Sequence, residues 1–117
     1  MPFKDLREFL TRLEKEGELK RIAEEVDWNL EAGAMARRAL EENLPAPFFQ
    51  KIKGYPNGYQ MVSCLLTNHR RIAIAMDMAP DTPGTELIEQ YLRRKDKPIK
   101  PVLVKEAPCK ENVLKGD

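Results

Sequence analysis

The segment Gly17–Ile52, GELKRIAEEVDWNLEAGAMARRALEENLPAPFFQKI, decides the fold, because it places a helix pattern between two strand patterns. From Glu18 to Val26 apolar residues alternate imperfectly with charged ones, which predicts a strand at the edge of a sheet. Small apolar residues at helical spacing then predict a helix at about 29–42. Two prolines end that helix, and an aromatic strand is predicted at 48–52.

Two further helices are predicted on either side of this segment. An apolar stripe with charges between its members indicates a helix at about 4–15, and Gly17 ends it because glycine tolerates left-handed backbone. A second stripe indicates a helix at about 83–95. The residues expected to cap the middle and last helices are Asp27 or Asn29 and Asp81 or Thr82, respectively.

The remaining segments are shorter and less regular. Gln60–Thr67 has the pattern of a buried strand, whereas Arg70–Met78 fits either a short helix or a second strand. The segment KPIKPVLVKEAP, residues 97–108, is predicted to contain an extended stretch between prolines, as an edge strand at 101–104 or a connector. These patterns together predict the α/β class: a small mixed β-sheet packed with about three helices in two or three layers, as a single domain.

Composition limits the classes of function. A chain of 117 residues is near the usual size of one domain, and its 42% apolar and 33% charged residues are typical of a globular protein. A net charge of +1, with both signs interspersed, argues against a nucleic-acid-binding surface. Because no apolar stretch is long enough for a membrane helix and no leader pattern precedes the first helix, we expect a cytoplasmic protein.

Residues capable of chemistry are few. His69 is the only histidine and cannot form a histidine metal cluster, and a nucleophile–base pair of Cys64 and His69 competes with a buried apolar role for Cys64 in the predicted strand. His69 itself is expected to be a solvated turn or cap residue. Cys109, between a proline and a lysine, is either a reactive thiol or a connector residue. The turn containing Gly54 and Gly58 lacks the lysine and the strand-to-helix context of a phosphate loop.

The order of segments resembles a known family. DLREFLTRLEKEGELKRIAEEVDWNLEAGAMARRAL, then PAPFFQKIKGYP and finally APCKENVLKGD resemble the N-terminal region of the UbiD family of prenylated-flavin-dependent decarboxylases. Its most specific parts are Asp5-Leu6-Arg7 with Phe9-Leu10, Gly17-Glu18-Leu19, Ile22 to Val26-Asp27, and Lys53-Gly54-Tyr55. DTPGTELIEQYLRR is similar to the branch that acts on hydroxybenzoates and related phenolic acids.

The resemblance implies reversible, non-oxidative decarboxylation of an aromatic or α,β-unsaturated acid by a complete enzyme several times this length. That enzyme would use prenylated FMN with a divalent metal, manganese, and potassium, all held by a catalytic domain downstream. No residue of this chain matches the family's catalytic, cofactor-binding or metal-binding motifs, so none is assigned to those roles. Residues 1–104 are then the N-terminal domain, and 105–117 a connector toward a catalytic domain absent from this chain.

Three interpretations follow for the chain. It is the isolated N-terminal domain of such a decarboxylase, a separate small subunit that docks on a catalytic chain, or a small binding or regulatory protein that reuses the fold. A domain removed from a larger homo-oligomeric enzyme is expected to expose an apolar patch. The candidates for that patch are Phe48, Tyr55, Tyr59 and residues 101–104.

Overall fold

The computed structural model describes residues 3–116 and confirms an α/β domain with a small mixed sheet. Within those residues it has four helices, α1 Leu6–Lys15, α2 Glu31–Glu41, α3 His69–Ala75 and α4 Gly84–Lys95. The strands are β1 Leu19–Val26, β2 Ala46–Ile52 and β3 Met61–Val62, and a 3-10 turn covers Pro108–Lys110. Helices α1, α2 and α4 are the three predicted helices, and α3 resolves the ambiguous segment as helix.

The sheet is built around β2. Helix α2 returns the chain to the end of the sheet at which β1 begins, so β2 runs parallel to β1. Leu19 lies opposite Ala46, and Val26 lies opposite Ile52. A turn then reverses the chain, so β3 is antiparallel to β2. The resulting order β1-β2-β3 leaves β1 at an edge, as its charged pattern predicts.

Two apolar clusters cover the two faces of the sheet. Phe48 belongs to a cluster with α1, whereas its neighbour Phe49 belongs to a cluster with Ala32 of α2. Since successive strand residues point to opposite faces, α1 and α2 lie on opposite sides of the sheet. Leu13 and Phe49 have no exposed surface at all, and they mark the centres of these two layers. The domain therefore has three layers.

The predicted strand at 60–67 is wrong in its extent. Only Met61 and Val62 of the segment 60–67 form a strand; the chain turns away after Ser63, whose N–H still donates to the carbonyl of Pro47. Cys64 adopts a left-handed φ of 60°, which is incompatible with continuing the strand. Residues 101–104, for which the sequence predicts either an edge strand or a connector, form no strand. A strand requires a neighbour with which to pair, and periodicity does not reveal whether one is present.

The predicted helix caps also differ from the observed ones. The residue before α2 is Leu30 and the residue before α4 is Pro83, and neither donates or accepts a side-chain capping bond. The Asp27 carboxylate instead accepts the N–H of Asn29, and the Thr82 hydroxyl donates to the Ala79 carbonyl. These side chains satisfy turns that precede the helices. No helix within residues 3–116 is long and apolar enough to cross a membrane.

Candidate functional site

The main polar centre of the domain is the Glu18 cluster, formed by Glu18, Asn68, Arg70 and Arg71. Glu18 lies directly before β1, and the other three lie at the start of α3. The Glu18 carboxylate accepts hydrogen bonds from Arg70 Nε at 2.7 Å, Arg71 Nε at 3.0 Å and Asn68 Nδ2 at 3.3 Å. Arg70 also pairs with the carboxylate of Asp81. The cluster therefore ties β1 to α3 across more than 50 positions of sequence.

Arg71 is the buried member of the cluster, with only 1% of its surface exposed. Beyond Glu18, its guanidinium donates to the carbonyl of Cys64 at 2.6 Å, to Thr67 Oγ1 at 2.8 Å and to the carbonyl of Leu44. The left-handed turn at Cys64 presents its carbonyl to Arg71. One side chain thus fixes the loop before β2 and the loop after β3. This pattern is typical of a structural ion pair, in which a buried charge is fully hydrogen-bonded.

The pKa of Glu18 is lowered in the folded protein. Burial alone would raise it, but hydrogen bonds from Arg70, Arg71 and Asn68, with the charge of Arg71, outweigh that effect. The carboxylate is therefore held in its ionised form. A carboxylate held ionised by two arginines is a poor general acid or base, because catalysis requires a pKa near the working pH.

Three residues that the sequence singled out do not come together as a site. The Cys64 thiol, half-buried, donates to the carbonyl of Ala36 at 3.3 Å and lies 3.6 Å from Ser63 Oγ, so its hydrogen bonds do not involve His69. His69 is exposed at the first position of α3, next to the capping residue Asn68. Cys109 lies exposed in the 3-10 turn. No nucleophile–base pair is formed by these side chains.

The described residues do not fit a flavin or a metal ion. In residues 3–116 no three His, Cys, Asp or Glu side chains are grouped so that they could hold a metal. The glycines of the turn at Gly54 and Gly58 connect a strand to a strand, whereas a phosphate loop leads from a strand into a helix. Asp5 and Asn68 occupy the starts of α1 and α3 by accepting backbone N–H bonds. At these two helix starts, the carboxylate of Asp5 and the amide oxygen of Asn68 already accept N–H groups that a phosphate would need.

One exposed surface feature is an aromatic patch, defined as Trp28, Tyr55 and Tyr59, with Leu30 close to Trp28 in the sequence. The three aromatic side chains are 58%, 52% and 59% exposed, respectively, and Leu30 is 81% exposed. The two tyrosine rings are tilted against each other with centroids 5.5 Å apart, and with Trp28 they line a cleft of about 280 Å³. The two tyrosines and residues 102–104 are exposed as predicted, but Phe48 is only 7% exposed. The prediction for Phe48 is wrong because β2 is the central strand.

Sequence reasoning missed the ion pair between Glu18 and the buried Arg71. One signal was available: Arg71 lies three and four positions before Ile74 and Ala75, on the apolar side of α3. A charged residue within an apolar stripe indicates a buried partner. The identity of that partner depends on the packing of α3 against the start of β1, which no local pattern encodes.

Comparison with known proteins relates this fold to decarboxylases. A family model described as the 3-octaprenyl-4-hydroxybenzoate carboxy-lyase N-terminal domain, UbiD_N, matches residues 10–91. The phenolic acid decarboxylase of Sedimentibacter hydroxybenzoicus is 42% identical over 98% of this chain, and the ferulic acid decarboxylase 1 of Saccharomyces cerevisiae is 36% identical over 97%. The chain spans about a quarter of the length of these relatives, 25% in each case.

Solved structures give the same relation. The vanillic acid decarboxylase of Sedimentibacter hydroxybenzoicus in its closed form matches 98% of this chain with a TM-score of 0.80 at 41% identity. Its open form matches 96% of the chain with the same TM-score at 40% identity. The matched part is 25% and 24% of those chains, respectively. The three-layer domain is thus one part of a larger architecture in these relatives.

Proposed function

The chain belongs to the family of UbiD N-terminal domains, and from this we propose that it serves as the non-catalytic N-terminal domain of a decarboxylase about four times its length. The observation that carries the proposal is the match of nearly the whole chain to one quarter of a vanillic acid decarboxylase at a TM-score of 0.80. The polar centre of the domain supports it, because the Glu18 cluster is saturated with structural bonds.

The proposed substrate of the complete protein is a small aromatic or α,β-unsaturated carboxylic acid, such as a hydroxybenzoate. Several relatives that match almost all of this chain are named for phenolic or ferulic acid. The reaction would be a reversible, non-oxidative decarboxylation by a carboxy-lyase, a class of chemistry in which a cofactor carries the electronic burden. We assign the complete protein to the cytoplasm.

Prenylated FMN, with manganese and potassium, is the cofactor set proposed for the complete protein, and its binding residues are assigned to the region outside this chain. No metal-ligand cluster is present among residues 3–116, and we give none of these residues a catalytic, cofactor-binding or metal-binding role. The domain would instead cover one side of the catalytic region, with residues 105–117 as the connector. Movement about that connector would help to close the active site over substrate.

Two alternatives use the same fold. As a separate small subunit, the chain would dock on a catalytic polypeptide through the same surface, and a homo-oligomer is proposed in either case. As a thiol enzyme, it would need a base near Cys64 or Cys109, whereas the hydrogen bonds of the Cys64 thiol go to Ala36 and Ser63. The first alternative remains compatible with the proposed function. The second is disfavoured by that geometry.

The direct test is decarboxylation by the complete protein or complex that carries this domain. It is loaded with prenylated FMN and manganese, and release of CO2 is measured with vanillate, 4-hydroxybenzoate and ferulate. Cyclohexanecarboxylate is the matched control, since it has a similar size and charge but no conjugated ring. Turnover of at least one aromatic acid and none of the control is expected. The absence of turnover with every acid by the loaded protein would contradict the proposal.

A further inference from the structure

The aromatic patch has the composition of a binding hot spot. Tryptophan and tyrosine are the residues most enriched where binding energy concentrates, and Trp28 is the only tryptophan of the chain. More than half of the surface of Trp28, Tyr55 and Tyr59 is in contact with solvent. Exposing such residues in one place lowers solubility and is uncommon on a surface without a partner.

The loops that carry the patch are linked through Asp27 and Lys53. Lys53 Nζ contacts Asp27 Oδ2 at 2.9 Å, and the N–H of Lys53 donates to the carbonyl of Val26 at 2.9 Å. Asp27 Oδ1 accepts the N–H of Asn29, while the N–H of Asp27 donates to the Glu31 carboxylate at 2.7 Å. The loop after β1 and the loop after β2 are thereby joined. Pre-organised loops lose little conformational entropy when they bind.

Backbone strain is present at the same place. Leu30 has φ 71° and ψ −44°, and the N–H of Glu31 donates to the carbonyl of Asn29 across it at 3.0 Å, which makes a strained three-residue turn. The Leu30 side chain is 81% exposed, so the hydrogen bonds of Asp27 and Glu31, and not side-chain packing, hold this turn. The turn therefore leaves an apolar side chain in solvent next to the aromatic patch in the sequence.

We propose that the aromatic patch is the surface through which this domain docks on the catalytic region of the same decarboxylase, an inference that rests on the proposed function. The relatives are about four times as long as this chain, so three quarters of such a protein lies outside the described domain. Domains within one chain meet through roughly 600–1,500 Å² of surface, which the domain must supply. The aromatic patch is favoured over residues 99–104 because those residues form no regular structure.

The test is hydroxyl-radical footprinting of two samples, the 117-residue chain and the complete protein or complex that contains it. Oxidation of Trp28, Tyr55 and Tyr59 is measured by mass spectrometry. Tyr91 of α4 is the matched control, because it is a tyrosine with the same exposure, 59%, as Tyr59. We expect the three patch residues to be oxidised several-fold more slowly in the complete protein, and Tyr91 to change much less. Equal oxidation in both samples, or protection of Tyr91 as strong as that of the patch, would overturn the assignment.

A second measurement does not depend on solvent access. A protease site is placed within residues 105–117 of the complete protein, the purified protein is cut there, and the affinity between the two parts is measured. Trp28→Ala is expected to weaken that affinity about thirtyfold or more, as hot-spot truncations do, whereas Tyr91→Ala changes it little. Circular dichroism checks that both variants fold. Unchanged affinity in a folded Trp28→Ala protein would contradict the proposal.

The outcomes separate this inference from the proposed function, because neither readout requires turnover. The same complete protein is assayed for decarboxylation. An active protein with an unprotected patch refutes the docking surface alone. An inactive, fully loaded protein with a protected patch refutes the proposed decarboxylase function and leaves a docking domain of another kind.

Discussion

Arg71 lies in a position that is 1% exposed, and its guanidinium donates four hydrogen bonds. The acceptors are the Glu18 carboxylate, the Thr67 hydroxyl and the carbonyls of Cys64 and Leu44. For such a residue, replacing the whole polar group and removing one partner have very different free-energy costs. A buried pair contributes little net stability compared with an apolar replacement of the whole group, but removing one partner leaves the other buried and unpaired. The fold is therefore most sensitive at this residue and at Glu18.

Replacing Arg71 with Met tests this sensitivity. The variant leaves the carbonyl of Leu44 without its Arg71 donor and removes one of several donors from the Glu18 carboxylate and from the Cys64 carbonyl, so the free energy of unfolding should fall by roughly 1–3 kcal/mol. Arg37→Met is the control, because Arg37 forms an exposed pair with Glu41 on α2 and should cost less than about 0.5 kcal/mol. Urea unfolding measures both. Equal effects would mean that Arg71 has no special structural role.

The lowered pKa of Glu18 predicts how the stability of the domain depends on pH. Because its pKa is lowered on folding, the stability it contributes is complete above the ordinary glutamate pKa of about 4.3 and is lost as pH falls through the lowered value. Glu18→Gln should therefore be destabilised more at pH 7 than at pH 3, relative to wild type. Urea unfolding at the two pH values gives the difference. A deficit that stays constant, or grows in acid, would contradict the ion-pair account.

Among the elements, the connection from α1 to β1 depends on one backbone conformation. Gly17 has φ 75° and no atom within 4 Å of where a Cβ would lie, so Gly17→Ala should cost about 1–2 kcal/mol from conformation alone. Gly33 also has open space around it but lies within α2, where Gly33→Ala should stabilise by up to about 1 kcal/mol. Thermal unfolding of both variants checks the opposite signs. If both variants changed stability in the same direction, the free space around each glycine, and not its φ, would determine the effect.

What the sequence can predict is also best seen among the elements. The helices α1, α2 and α4 could be located because each carries a long apolar stripe, and the edge position of β1 followed from its charges. The end of β3 could not be located, because the turn at Cys64 depends on a hydrogen bond that its carbonyl accepts from Arg71 of α3. The Glu18 cluster was missed for the same reason. Long-range polar contacts leave no periodic signal.

For the whole molecule, the family could be predicted from ordered motifs such as Gly17-Glu18-Leu19, and the comparisons confirm it. Those motifs have a structural explanation here: Gly17 supplies the turn and Glu18 binds the two arginines. Residues that shape a domain identify its family as well as catalytic residues do.

The central claim is that this domain belongs to a decarboxylase without holding its active site, and flavin binding tests it most directly. The 117-residue chain and the complete protein are each incubated with prenylated FMN and manganese, separated by gel filtration, and measured for flavin absorbance. The account predicts that the complete protein retains the flavin stoichiometrically and that the chain alone retains none. Stoichiometric flavin in the fraction of the 117-residue chain would contradict it.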